Sequence, residues 1–315
     1  MTDWRKRILS MAFTCLMMGA LVVYAWNNRE LFAGLLDVHV GFLIGLAALW
    51  LVVIWIAGLR TQLFVGLLDV DLSAKESLQL EVATSMSGYL IPFKGSQVTK
   101  AVYLKKRHGF PYAHFLTVLF ASYPLKFLAV AATGIALTFL LYFERGVLEL
   151  RILAFFLTLI GLTTIVLKVP LSIPSSERKL LSGLRSVLDG WGLLREDPAS
   201  LLHIILLFAA SCIVTGGQLF VAYGALSMEV QLLPALLIGT VYTFTFFTSA
   251  TPGSSGFAEA VVGVASHLMR IGFAEGIVAA VLVRGVSTGM ALLLGPVFSY
   301  LLSREQREPV VEVGS

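Results

Sequence analysis

Two stretches of this sequence combine residues that bind anions with residues that break helices. The first reads Thr84-Ser85-Met86-Ser87-Gly88-Tyr89-Leu90-Ile91-Pro92-Phe93-Lys94-Gly95-Ser96, and the second reads Thr248-Ser249-Ala250-Thr251-Pro252-Gly253-Ser254-Ser255-Gly256. Each is a hydroxyl-rich apolar segment, a Pro and a Gly-Ser turn, followed by a second short helix. Pro92 and Pro252 cannot continue a preceding helix, and Gly95, Gly253 and Gly256 let the backbone turn. A helix that restarts after such a turn begins with unpaired N–H groups of partial positive charge, which can receive an anion such as phosphate. Ionisable residues accompany both turns. Glu259 lies seven residues beyond Pro252, and Arg284 sits midway along the last apolar run. Lys126 follows Pro124 in another run, and Lys100 lies one or two helical positions from the first-half counterpart of Glu259, with opposite charge. A charge at the bilayer centre costs about 2.5–3.5 kcal/mol on insertion scales, so each needs a partner or a task. Arg284 is expected to contact a phosphate while Glu259 positions or releases it; a static Glu259–Arg284 ion pair is the structural alternative. Lys126 binds an anion, snorkels, or pairs with Glu81. The candidate lipid- and anion-binding residues are therefore Pro92, Lys94, Gly95, Ser96, Lys100, Lys126, Thr251, Pro252, Gly253, Ser254, Ser255, Gly256, Glu259 and Arg284.

What must position them is set by composition. The chain has 315 residues, 57% hydrophobic and 13% charged, against about 25% charged in an average soluble domain. Its mean hydropathy is +0.87. A soluble domain of this length could not cover its surface with so few charges, so a soluble enzyme and a disordered chain are excluded. The net charge of +4 is mild, and no basic surface for nucleic acid is expected. The apolar runs are continuous and do not alternate, which excludes a membrane β-barrel. No HExxH, P-loop, GxSxG or strand-borne GxGxxG occurs. The five histidines do not pair at metal-ligand spacing, and Cys15 and Cys212 lie singly in apolar runs. The expected class is an all-α polytopic membrane protein with no metal and no cofactor.

Apolar runs at about 8–26, 38–59, 114–141, 152–169, 200–226 and 276–302 each come close to the roughly 20 residues that cross a bilayer core. Trp4-Arg5-Lys6-Arg7 before the first run resembles a signal peptide, but the run is too long and lacks a small-x-small site, so a retained span is expected. With the N-terminus in the cytoplasm, segments 1–7, 60–111, 170–199 and 303–315 carry sixteen Lys and Arg, and the opposite side carries three. This positive-inside balance requires stretches 77–107 and 233–270 each to enter and leave on one side, as re-entrant hairpins. The prolines are 160 residues apart, and Lys126 and Arg284 are 158 apart. The order span, span, dip, span recurs in both halves with opposite orientation. The prediction is a single membrane domain of six spans and two re-entrant hairpins, an inverted repeat of 8–143 and 152–302, with a cytoplasmic tail at 303–315. Segment 175–195 has the spacing of an interfacial or linker helix. The Gly41-x-x-x-Gly45 and Gly285-x-x-x-Gly289 pairs suggest close helix packing. Lys94, Lys100, Lys105, Lys106 and Arg107 form a basic cluster that sets topology or attracts anionic headgroups.

The first turn, continued through Lys100-Ala101-Val102-Tyr103-Leu104-Lys105, and the second, continued through Gly256-Phe257-Ala258-Glu259 and later Arg284, resemble the transmembrane region of lysylphosphatidylglycerol synthases. The similarity runs over nearly the whole chain. It implies a lipid-translocating membrane domain, with Pro92 and Gly95 on the first re-entrant turn, Pro252, Gly253, Gly256 and Glu259 on the second, and Arg284 on the last span. Full-length synthases carry a cytosolic aminoacyl-transferase domain after the last span. This sequence ends thirteen residues past it, so aminoacylation is not expected and the chain is expected to be no enzyme. Two departures are Ser254, where the family commonly has a second Gly, and Tyr123-Pro124-Leu125-Lys126, where many relatives have an acidic residue. Stand-alone relatives handle diverse lipids, so the substrate does not carry over.

The leading expectation is a flippase-like transporter in the cytoplasmic membrane, both termini cytoplasmic. It would move an anionic phospholipid or polyprenyl-linked lipid through a polar cavity between the hairpins. The alternatives are a secondary transporter of a small soluble anion, and a non-catalytic membrane partner of a lipid-modifying enzyme.

Overall fold

The computed structural model describes residue 26 and residues 33–35, 37–68, 70–90, 95–146, 148–168, 197–245 and 256–305. The expected first span apart from Trp26, the interfacial segment 175–195, both Pro-containing turns (91–94 and 246–255) and the tail from 306 lie outside the described residues. The described residues form nine helices and no strand. They are α1 (Val40–Gly66), α2 (Ala74–Leu90), α3 (Gly95–His108), α4 (Tyr112–Arg145), α5 (Leu150–Lys168), α6 (Pro198–Ala225), α7 (Leu232–Phe244), α8 (Phe257–Leu268) and α9 (Phe273–Glu305).

Helix limits follow local chemistry. The His39 ring accepts the Gly41 N–H at 3.1 Å and caps α1. Asp197 accepts the N–H groups of Ala199 and Ser200, and Pro198 opens α6 with a φ suited to a first turn. Gly146, at φ 68, ends α4 in the left-handed conformation that only Gly adopts without strain.

Among the described residues, four helices are long and apolar enough to cross a membrane: Val40–Gly66, His114–Arg145, Pro198–Ala225 and Phe273–Arg304. Their outward faces carry Ile44, Phe143, Leu202, Leu206, Leu293 and Tyr300, all more than half exposed, as lipid contact requires and water would penalise. By contrast α2, α3, α7 and α8 have 17, 14, 13 and 12 residues. At 1.5 Å per residue they reach about 18–26 Å, short of the ~30 Å core. α2 and α3 lie antiparallel: Gly88 meets Ser96, Glu81 meets Lys100, and Glu76 meets Tyr103. α8 and α9 also run antiparallel, through Ser266 with Gly276, Gly263 with Ile277, and Glu259 with Arg284.

Helix pairing recurs between 40–145 and 198–305. α1 packs on α2 as α6 packs on α7, α2 lies along α9 as α7 lies along α4, and α1 meets α6. Apolar burial drives helix association weakly in lipid, so close backbone approach matters more. Two such approaches match residue for residue. A Cβ at Gly58 would stand 3.3 Å from Leu78 N, and one at Gly216 would stand 2.4 Å from Leu236 Cα. Gly58 and Gly216 are 158 residues apart, as are Leu78 and Leu236, the spacing that also separates Lys126 from Arg284. The expected Gly-x-x-x-Gly contacts are not where the helices approach: nothing stands within 4 Å of a Cβ at Gly285 or Gly289, and Gly45 has only ordinary contact with Val221. These pairs sit on faces that meet no neighbouring backbone; Gly58, Gly216, Gly239, Gly263 and Gly276 hold the tight positions instead.

Candidate functional site

A cavity of about 400 Å³ opens between the two halves. Its walls repeat. On α1 it is lined by Trp50, Val53, Ala57 and Arg60, and on α6 by Phe208, Ser211, Thr215 and Gln218, each pair 158 residues apart. α4 contributes Lys126 and α9 contributes Arg284, again at that spacing. The short helices supply Glu81, Ser96 and Lys100 from α2 and α3, and Tyr242 and Ala258 from α7 and α8.

In the first half, Lys100 on α3 is 7% exposed and pairs with Glu81 on α2. Thr61 on α1 donates to the same carboxylate oxygen and accepts from Lys100 Nζ at 3.1 Å. The pair joins the limbs of one hairpin and ties them to α1. The sequence offered Glu81 as one alternative for Lys126; the structure pairs Glu81 with Lys100, because α2 and α3 are antiparallel neighbours. Lys100 also leaves the expected basic surface cluster: it turns inward, while Lys105 and Lys106 remain exposed.

The second half is arranged differently. Gly256, at φ 82, begins α8 and donates its N–H to Glu259 Oε2 at 2.7 Å. The other Glu259 oxygen receives the Arg284 guanidinium. Glu259 is 2% exposed and stands behind Arg284, which faces the cavity. The carboxylate thus caps its own helix, as a third-position Glu can, and clamps α8 to α9. Gly263 and Gly276 permit this: a Cβ at Gly276 would lie 2.9 Å from Gly263 Cα.

Of the candidate residues, Gly95, Ser96, Lys100, Lys126, Gly256, Glu259 and Arg284 are described, and all belong to the cavity walls or the helix starts beside them. Pro92, Lys94, Thr251, Pro252, Gly253, Ser254 and Ser255 lie outside the described residues. Arg60 is a site residue that sequence reasoning placed in a cytoplasmic segment. α1 continues to Gly66, so Arg60 stands inside the helix. Its Nη1 donates to Ser211 Oγ at 3.0 Å, and its guanidinium lies 4.4 Å from the centre of the Phe208 ring. The available signal was the apolar run Leu63-Phe64-Val65 beyond it. Among the described residues, Arg60, Lys100, Lys126 and Arg284 and the carboxylates Glu81 and Glu259 thus lie at or beside the cavity, four cations to two anions.

A further polar cluster closes the base of the first hairpin, outside the membrane-spanning helices. Glu76 accepts from Tyr103 Oη at 2.7 Å and bonds His108 Nε2 at 2.8 Å. Partial burial pushes this carboxyl up, but the hydrogen bonds from His108 and Tyr103 outweigh it and hold it below its ordinary value.

The family model of the lysylphosphatidylglycerol synthase TM region matches residues 7–295. No curated protein and no solved structure matches the chain.

Proposed function

This chain belongs to the lysylphosphatidylglycerol synthase TM region family, membrane proteins related to lipid handling, and on that premise we propose that it is a flippase-like transporter for a lipid with an anionic headgroup. The observation that carries this reading is the cavity, with four cations to two anions among the described residues, whose α1 and α6 walls repeat at one spacing. A charged group in a low-dielectric setting is costly unless something balances it, and an anionic headgroup does so. The seam between α3 and α4 is the side entrance: both helices line the cavity, yet they touch each other only slightly. Acyl or prenyl tails remain in lipid while the headgroup passes, which distinguishes this reading from transport of a soluble anion.

In this reading 8–143 and 152–302 are repeats of opposite orientation. The short α2–α3 and α7–α8 limbs are re-entrant, six spans surround them, and both termini face the cytoplasm. The matched pairing of helices and limbs shorter than a bilayer core support it. The chain acts as a carrier without catalysing bond chemistry, and its partner is the lipid itself. Movement is downhill or ion-coupled; protonation of Glu259 would release Arg284 and is the coupling step this reading favours.

The test is a proteoliposome assay. Purified protein is expected to expose inner-leaflet fluorescent phosphatidylglycerol to an external quencher. Arg284→Ala is expected to slow this about tenfold, the equivalent of about 1.4 kcal/mol. Release of a trapped soluble anion with no lipid movement favours the small-anion transporter, and lipid movement only with a co-reconstituted lipid-modifying enzyme favours the partner role.

A further inference from the structure

Arg60 and Gln218 occupy matching places on α1 and α6, 158 residues apart, and both line the cavity. Arg60 is served from the facing helix: its Nη1 donates to Ser211 Oγ at 3.0 Å. The repeat offers Gln218 no such partner. Val53 stands 158 residues before Ser211, also on the cavity wall, and its side chain neither donates nor accepts. Among the described residues, nothing else hydrogen-bonds the Gln218 carboxamide, although the residue is only 5% exposed. Thr215 lies one turn earlier on the same face of α6. It is 8% exposed, lines the cavity, and stands where α1 has Ala57. Ser211, Thr240 and Thr243 each donate a hydroxyl proton to the carbonyl four residues back, as helix hydroxyls often do. The Thr215 hydroxyl does not, and among the described residues it makes no hydrogen bond. Buried polar groups are nearly always paired, so two adjacent ones that face a cavity without protein partners point to a ligand.

Resting on the headgroup-site reading above, we infer that Gln218 and Thr215 recognise the hydroxyl groups of a polyol or sugar headgroup, with Gln218 the specificity-determining residue. The carboxamide presents one acceptor, Oε1, beside two donors on Nε2, and the threonine hydroxyl both donates and accepts. A phosphodiester only accepts and an ammonium only donates, so each leaves half of the carboxamide unmet. Two neighbouring hydroxyls meet both halves: one donates to Oε1 while the other accepts from Nε2, the bidentate geometry that a Gln side chain also uses on the edge of adenine. Thr215, one turn away, serves a further hydroxyl. A headgroup without hydroxyls would displace water from these groups and replace none of its hydrogen bonds, which is how a site of buried polar groups rejects an analogue. Gln218 lies seven residues beyond Ser211, about 10 Å along α6. A phosphate beside Arg60, a short polyol, and a hydrogen bond of about 3 Å at each end cover that span. The same hydroxyls are offered by a lipid headgroup and by a soluble polyol phosphate.

Titration of the full chain in detergent with chain-matched phosphatidylglycerol and phosphatidylpropanol tests this. The two share a phosphodiester, its charge and three headgroup carbons, and differ only in the hydroxyl pair. Phosphatidylglycerol is expected to bind about tenfold more tightly, the scale of one or two net hydrogen bonds. Gln218→Leu is expected to bring the two lipids level, and Thr215→Val to narrow the preference about threefold. A residue that only packed α6 would change both affinities together and leave their ratio alone. Should Gln218→Leu fail to fold, Thr215→Val and the wild-type ratio decide the question. Glycerol phosphate that competes as tightly as phosphatidylglycerol identifies a soluble polyol phosphate as the occupant; weak competition identifies the lipid. Equal affinity of the wild type for the two lipids overturns the inference, as does a preference that survives Gln218→Leu. Chain-matched phosphatidylethanolamine that binds as tightly as phosphatidylglycerol overturns it too. Movement of both lipids in liposomes with no preference overturns hydroxyl recognition alone, and preference without movement overturns the flippase reading alone.

Discussion

The short helices α3 and α8 meet the long helices that follow them in opposite ways. In the second half, α8 lies along α9 with Gly263 and Gly276 at the contact, and Glu259–Arg284 clamps the two. In the first half, α3 hardly touches α4. At the matching offsets stand Tyr103, 160 residues before Gly263, and Val118, 158 before Gly276. Two glycines let backbones approach, whereas the matching positions in the first half carry the side chains of Tyr103 and Val118. Tyr103 instead turns to Glu76, and the first-half ion pair lies within the hairpin, between Glu81 and Lys100. The second half is thus fastened between α8 and α9, and the first between α2 and α3. The difference teaches that two similarly paired sets of helices can be fastened at different places, one along the contact of α8 with α9 and the other within the α2–α3 pair.

The largest expected effect breaks the locked side. Arg284→Met leaves Glu259 as a buried charge without its cation, and removing one partner of such a pair costs about 3–5 kcal/mol. Lys100→Met strands Glu81 too, but Thr61 still donates to it, so a loss of about 1–3 kcal/mol is expected. Thermal unfolding in detergent compares them; a larger loss for Lys100→Met inverts the assignment of locked and compliant halves.

A smaller effect tests the glycine account. A Cβ at Gly276 would stand 2.4 Å from Ser266 Oγ, so Gly276→Ala is expected to lose about 1–3 kcal/mol as an overpacked contact does. Val118→Ala, at the matching place in the open seam, should change stability by less than about 1 kcal/mol. Equal losses would mean that α3 and α4 pack as tightly as α8 and α9.

The smallest effect concerns the base of the first hairpin. The Glu76 carboxyl lies below its unfolded value because His108 and Tyr103 hold its ionised form against the cost of burial. Its stabilisation is therefore full above the unfolded value and is lost as the pH falls through the folded one. Glu76→Gln is expected to lose about 1 kcal/mol at neutral pH, with the difference from wild type vanishing in acid. Amide exchange in α2 and α3 reports it; a difference that grows on acidification refutes the assigned sign.

Much of the scaffold was legible. The four long helices lie within a few residues of the apolar runs that announced them, except that α1 runs seven residues past the expected end at 59. That error hid Arg60, because a charge at the edge of an apolar run reads as a loop residue when charges are used to set topology. Glu81 was legible only as a partner for Lys126, beside anion binding and snorkelling, since the choice of partner depends on which helices are neighbours. The Gly-x-x-x-Gly pairs misled for the same reason: spacing puts two glycines on one face and says nothing of what that face meets. The 158-residue spacing was visible in one cation pair, and the structure extends it to Gly58 and Gly216, Leu78 and Leu236, and the cavity faces of α1 and α6.

By itself the sequence determined a helical membrane protein with two Pro- and Gly-interrupted segments and charges beside them, because composition, run length and backbone breakers act locally and need no partner. Only the tertiary structure decided that Lys100 takes Glu81, that Glu259 caps α8 while holding Arg284, and that Arg60 enters the cavity against Ser211 and Phe208. Apart from the local cap of Glu259 on Gly256, those outcomes depend on distances between residues 19 to 151 positions apart, and an ion pair's energy is set by the distance and dielectric between its charges, neither of which sequence spacing specifies.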